Sequence, residues 1–168
     1  MLRTIFVLLL IAAQFAPSAA VAQAKPVYLA VGDSLTVGLY ATSDTPGAWH
    51  GFAYMVAEAL PQYQLEIAAV TGDGIDNTIA QLPLELADHM PTFVTVEVGI
   101  NNLGNMDAKT FMTRYVQLLY MLKRFGVKYV TACTVPWTGQ GTDTEAYARA
   151  LAFNNAISLV TPALGFSV

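Results

Sequence analysis

The sequence has a single cysteine, Cys133, so no intramolecular disulfide can brace the fold. Neither a C-x-x-C nor an H-E-x-x-H spacing occurs, and no metal or other cofactor is expected. Positive charge is also scarce. Eight Lys and Arg stand against twelve Asp and Glu, a net charge of −4, with no basic block able to neutralise a row of phosphates. Nucleic acid is therefore not an expected partner. Histidine occurs only at His50 and His89. Charged residues make up 12% against 55% hydrophobic, which excludes a disordered segment, and 168 residues suffice for one domain with no internal repeat or linker.

No apolar run reaches the ~20 residues needed to cross a bilayer. The longest, Ile5 to Ala13, follows the positive start Met1-Leu2-Arg3 and is interrupted by Gln14 and Pro17. Ala22, Gln23 and Ala24 then supply the small-x-small pattern of a cleavage site. Residues 1–24 read as a signal peptide and 25–168 as the mature domain, periplasmic or secreted, with no stable membrane span once the signal is removed.

The mature chain alternates short β-rich runs with longer helical patterns, the signature of β-α units around a parallel sheet. Strands are expected at Val27–Val31, Gln64–Val70, Phe93–Val98 and Val127–Val135, several of them ended by glycine. Apolar spacings of three and four predict a helix over Gly51–Leu60. A second helical face runs from Ile75 through Leu82 to Leu86, across Pro83, which should kink or restart it. A third helix is expected after the N-cap Asp107, closed by Gly126, and a fourth from Asp143 to about Val160. Leu164–Val168 reads as the start of a fifth strand. The fold class is α/β: a three-layer α/β/α sandwich with a parallel sheet, flavodoxin-like, the final strand and helix incomplete.

In such folds reactive groups gather where the carboxyl ends of the strands open into loops. Three polar sets fall there: Asp33 and Ser34, Gly72 and Asp73, Asn101 and Asn102. Each has a plain structural reading. Ser34 could be a helix cap, Gly72 a turn residue needing positive φ, and Asn101 an Asx-turn or cap. The run Gly32-Asp33-Ser34-Leu35 is less ordinary, since independent draws would place Gly-Asp-Ser-Leu in under about one chain in a hundred of this length.

Here the sequence resembles the SGNH hydrolases, the GDSL-type lipases and esterases, and in particular their bacterial secreted acylhydrolase branch. Val70-Thr71-Gly72-Asp73, followed by Leu82-Pro83, matches that family's second block. Val98-Gly99-Ile100-Asn101-Asn102 matches its Gly-x-Asn-Asp block except that Asn102 replaces the aspartate, so hydrogen bonds relying on charge there should be weakened or rearranged. The resemblance implies a serine esterase acting through an acyl-enzyme on Ser34. It makes the Ser34 N–H, the Gly72 N–H and the Asn101 carboxamide the oxyanion hole. Donors fixed in advance lower the barrier because they need not reorganise as charge develops. Asp33 reads as a loop brace. The implied partner is a small acyl ester or thioester, with lysophospholipids and thioesters suiting the resemblance better than acetylated polysaccharides. The loops Tyr40–Trp49 and Pro136–Gly139 carry aromatics that could line an acyl pocket.

Serine needs an adjacent base, which in this family comes from an Asp-x-x-His block, and no such spacing occurs in the sequence. His50 and His89 read as surface or capping residues, His89 at the rim of the sheet opposite Ser34. The absence is read as C-terminal truncation of an ordinary hydrolase, because the sequence stops inside the apolar run Phe166–Val168. The alternative is a non-catalytic carbohydrate- or lipid-binding module. A nucleotide-binding flavodoxin-like protein shares the layers but requires a Gly-rich phosphate cradle that the first loop lacks.

Overall fold

The computed structural model describes residues 24–39, 41, 51–137 and 144–168. The expected signal peptide apart from Ala24, most of the Tyr40–Trp49 loop, His50, Gly139 and Asp143 lie outside the described residues.

Strand β1 (Val27–Gly32) is central, flanked by β2 (Gln64–Ala69) and β3 (Phe93–Glu97), with β4 (Tyr129–Ala132) beyond β3. All pairings are parallel, in the order β2-β1-β3-β4. Thr131 bridges Ser167 in parallel beyond β4, but Leu164 and Gly165, expected to begin a fifth strand, form the turn after the last helix, so a single bridge stands in place of that strand. The helices are α1 (Ser34–Val37), α2 (Phe52–Ala59), α3 (Ile75–His89), α4 (Ala108–Phe125) and α5 (Glu145–Ala163).

Alternation along the strands sorts the core into two layers. Leu29, Val31, Val94 and Val96 pack with Leu82 and Leu86 of α3, Phe111, Tyr115, Leu118 and Leu122 of α4, and Phe153 and Ile157 of α5. On the other face Tyr28 and Ala30 meet Ala53 of α2, with Phe52 and Val56 at the margin. No described helix is long and apolar enough to cross a membrane.

Three further expectations need correction. First, the helix does not restart at Pro83: α3 continues through it as one element. The ring lies on the exposed side, and the buried stripe Ile75, Thr78, Leu82 and Leu86 holds the helix in place although one backbone bond is missing. Second, β4 is shorter than Val127–Val135. Val127 donates its N–H to Leu122 O and so belongs to the cap of α4 around the left-handed Gly126. At the far end the Asn154 carboxamide takes both backbone groups of Val135, accepting from its N–H at 2.7 Å and donating to its carbonyl at 3.0 Å. Third, the last helix starts at Glu145, and its described cap is Thr144, whose hydroxyl accepts from Tyr147 N. Asp107 does cap α4, accepting from Thr110 N at 2.9 Å.

Candidate active site

The register makes three adjacent strands end flush, with Gly32 paired to Ala69 on one side and to Glu97 on the other. Ser34, Gly72 and Asn101 lie two, three and four residues past that common edge, so the three loops emerge side by side. Gly32 is needed for close packing, because a Cβ there would collide with the Thr36 side chain and the Glu97 carbonyl.

Ser34 opens α1 and is half-buried. Asp33 caps that turn and is fully buried, its Oδ1 accepting from Leu35 N at 3.0 Å. Gly72 is exposed in the β2–α3 loop at φ 88°, a conformation that a side chain would strain. Among the described residues neither the Ser34 nor the Gly72 backbone N–H meets an acceptor, so both are free to donate.

Asn101 ties the loops together. It is exposed on the 3₁₀ turn Ile100–Asn102 after β3, and its Nδ2 donates to Asp33 Oδ2 at 3.1 Å and to the Asp73 carbonyl at 2.9 Å. Asp33 adjoins Ser34 and Asp73 adjoins Gly72, so one carboxamide links the neighbours of both. The two amide hydrogens have different surroundings: the Asp33 contact is partly buried and the Asp73 contact exposed. An incoming oxyanion can replace the Asp73 carbonyl while the Asp33 bond holds the side chain in place.

Asn102, where the sequence departs from aspartate, is buried, and its Oδ1 accepts from Ile75 N at 2.9 Å. The carboxamide thus satisfies a free N–H in the first turn of α3 without a charge. Its Nδ2 crowds Gly74 so closely that a Cβ there would come within 2.7 Å.

Sequence reasoning missed Glu97. It is the last residue of β3 and only 4% exposed, under Thr36, whose hydroxyl donates to Glu97 Oε2 at 3.4 Å. The Asp33 carboxyl lies near enough to act on it electrostatically. Burial pushes Glu97 up to about 8, and the Asp33 charge adds to the effect. Burial raises Asp33 as well, countered first by its bond from Leu35 N. The one available signal was a carboxylate ending an otherwise uncharged run, Phe93–Val98.

His89, the only described histidine, ends α3 and faces Glu85 at 3.4 Å and Glu66 at 3.9 Å. It lies at the end of the helix that returns the chain to the start of β3, away from the Ser34 edge. Trp137 packs edge-on against Tyr147 of α5, ring centroids 5.5 Å apart.

A sequence model of the GDSL-like lipase/acylhydrolase family matches residues 30–168. The chain belongs to that family. No curated protein matches it in sequence. Solved structures that share the fold of this GDSL-like chain include the lipase/acylhydrolase from Enterococcus faecalis, at 20% identity and TM-score 0.67, covering 85% of this chain and 74% of that one. The acetyl xylan esterase AlAXEase aligns at 20% identity and TM-score 0.69, over 83% and 74% of the two chains. A variant of an acetyl xylan esterase from Geobacillus stearothermophilus aligns at 15% identity and TM-score 0.66, over 84% and 75%. The GDSL-like family is one of ester-hydrolysing enzymes, and small-molecule esters are the substrates that membership implies.

Proposed function

We propose that this chain carries the acyl-transfer site of a serine esterase, with Ser34 as nucleophile and the Ser34 N–H, Gly72 N–H and Asn101 carboxamide as oxyanion donors. The observation that carries the reading is the Asn101 carboxamide, which bridges the Asp33-Ser34 and Gly72-Asp73 loops, while the Ser34 and Gly72 backbone N–H groups meet no acceptor among the described residues. Attack of Ser34 Oγ on an acyl carbonyl forms a tetrahedral oxyanion. Its collapse expels the alcohol or thiol and leaves an acyl group on Ser34. Small acyl esters, lysophospholipids and thioesters are the proposed substrates. Similar alignments to a lipase/acylhydrolase and to acetyl xylan esterases do not favour one ester class over another. The site is proposed to work in the periplasm or outside the cell, after cleavage behind Ala24.

A second reading is a non-catalytic carbohydrate- or lipid-binding module that keeps the same pocket. A covalent probe separates the two. When one triad member is absent, the hole and binding alone retain about 10³–10⁴-fold catalysis over water in serine proteases. Treated with a fluorophosphonate, the full chain is expected to gain the adduct mass on the peptide containing Ser34, and Ser34→Ala to gain none. Equal labelling of Ser34→Ala, or no adduct on the native chain after prolonged treatment, contradicts the esterase reading.

A further inference from the structure

We propose that Glu97 is a positioning residue for the Asn101 carboxamide: its carboxyl keeps a proton and donates it in a hydrogen bond to Asp33, which in turn anchors Asn101. This rests on the reading of Asn101 as an oxyanion donor. The argument begins with an unmatched atom. Glu97 Oε1 is buried and has no donor among the described residues, while Oε2 takes the Thr36 hydroxyl. The β1–β3 register pairs Gly32 with Glu97 and so brings the next residue, the fully buried Asp33, close to it. Two adjacent buried carboxylates repel strongly, and an unpartnered buried charge is costly.

One proton between them removes both difficulties, and the surrounding donors decide where it sits. Asp33 receives the Leu35 N–H and the Asn101 amide and interacts with the Ser34 hydroxyl, all of which favour its ionised form. Glu97 receives one long bond from Thr36. The proton therefore belongs on Glu97, where Oε1 becomes the donor to Asp33 and the unmatched atom gains its partner.

The consequence reaches the site through one side chain. Asp33 holds the partly buried hydrogen of Asn101, leaving the exposed one to swing from the Asp73 carbonyl to an oxyanion. If Glu97 ionises, repulsion drives Asp33 off its position and the anchor of Asn101 is lost. Among the described residues, the groups that face the pair are Thr36 from α1, Cys133 from the segment after β4 and Asp73 from the β2–α3 loop. None is a cation that would let both carboxylates ionise together.

The sign of the pH effect follows. Folded Glu97 holds its proton up to about 8, whereas the unfolded chain releases it near the ordinary value of 4.5. The stabilisation is therefore fully present below that ordinary value and is lost as pH rises toward about 8.

The test is carried out on the full chain labelled with ¹⁵N and with ¹³C at glutamate carboxyls. The Glu97 signal is assigned through Glu97→Gln and the side-chain amide of Asn101 through Asn101→Ala. Glu97 is expected to titrate near about 8, and the Asn101 amide signals to move with the same midpoint. Glu97→Gln, whose amide also donates to Asp33, should keep the Asn101 signals in their neutral-pH position up to alkaline pH. It should also lose the decline in melting temperature between mildly acid and mildly alkaline solution. Glu97→Ala should displace or broaden the Asn101 signals at every pH and slow Ser34 phosphonylation by up to about 100-fold, the scale of a misplaced group. Titration of Glu97 in the ordinary carboxylate range, or Asn101 signals indifferent to both substitutions, overturns the proposal. Because the amide titration needs no turnover, it decides the proposal even where absent labelling has contradicted the esterase reading.

Discussion

Asn101→Ala is expected to slow phosphonylation of Ser34, and hydrolysis of any activated ester, by about 10²–10³-fold, the scale seen when one oxyanion donor is removed. The effect should fall on the chemical step. In the free protein both hydrogens of the Asn101 amide are already engaged, one with Asp33 and one with the Asp73 carbonyl, and only the second faces solvent. Ground-state binding of an uncharged ester has little to gain by displacing that carbonyl, whereas a developing negative oxygen does. Stability should change far less. Asp33 keeps the Leu35 N–H, and the Asp73 carbonyl is left to solvent, so a loss of about 1–2 kcal/mol is expected from the two missing hydrogen bonds. Rates of labelling and urea midpoints measured on the same preparations check both halves. A large drop in midpoint with a small change in rate reverses the assignment and makes Asn101 a structural residue.

Phe153→Ala should produce the opposite pattern. Phe153 of α5 lies face to face with Phe111 of α4, ring centroids 3.9 Å apart and planes at 4°, and both side chains are fully buried. Tyr115, one turn on in α4, also stacks on Phe111, ring centroids 5.6 Å apart. Removing the ring leaves a cavity between two long helices and the sheet, and a loss of about 3–5 kcal/mol of stability is expected. For a protein of ordinary marginal stability that is a large fraction of the total. Urea titration checks the size. Labelling of Ser34 per folded molecule should stay near the native rate, because the bonds that join the three loops run through Asp33, Asn101 and Asp73 and not through Phe153. A midpoint within error of the native protein would mean that the two helices are not held together by this stack.

The layers and strand sites were legible because they depend on local patterns. β1, β2 and β3 are short apolar runs that end in turn residues, and their observed limits fall within one residue of those expected. The motif residues were legible as a set, since each follows a strand and the flush edge of a parallel sheet brings such positions together. What escaped depended on contacts remote in sequence. The early end of β4 at Ala132 reflects Asn154, nineteen residues away, occupying the backbone of Val135. Nothing in the run Val127–Val135 marks that. Pro83 looked like a break because the local rule is strong, but the buried stripe of α3 outweighs one missing bond. Glu97 was invisible for the same reason as Asn154. Its importance lies in the β1–β3 register, which sets it opposite Gly32 and hence beside Asp33, and in Thr36 folding over it. At Asn102 the hydrogen bonds of the loop were expected to be weakened or rearranged for lack of a charge, and the sequence did not show which. The Asn102 carbonyl oxygen meets the Ile75 N–H, a role that needs only an acceptor.

The most direct measurement is a crystal structure of the full chain after reaction with a fluorophosphonate. The tetrahedral phosphorus should be bonded to Ser34 Oγ, its oxygen within about 3 Å of Asn101 Nδ2 and of the Ser34 and Gly72 N–H groups. The Asn101 bond to Asp33 should be retained and the bond to the Asp73 carbonyl broken. An adduct whose oxygen points to solvent, with Asn101 still donating to both Asp33 and Asp73, contradicts the account.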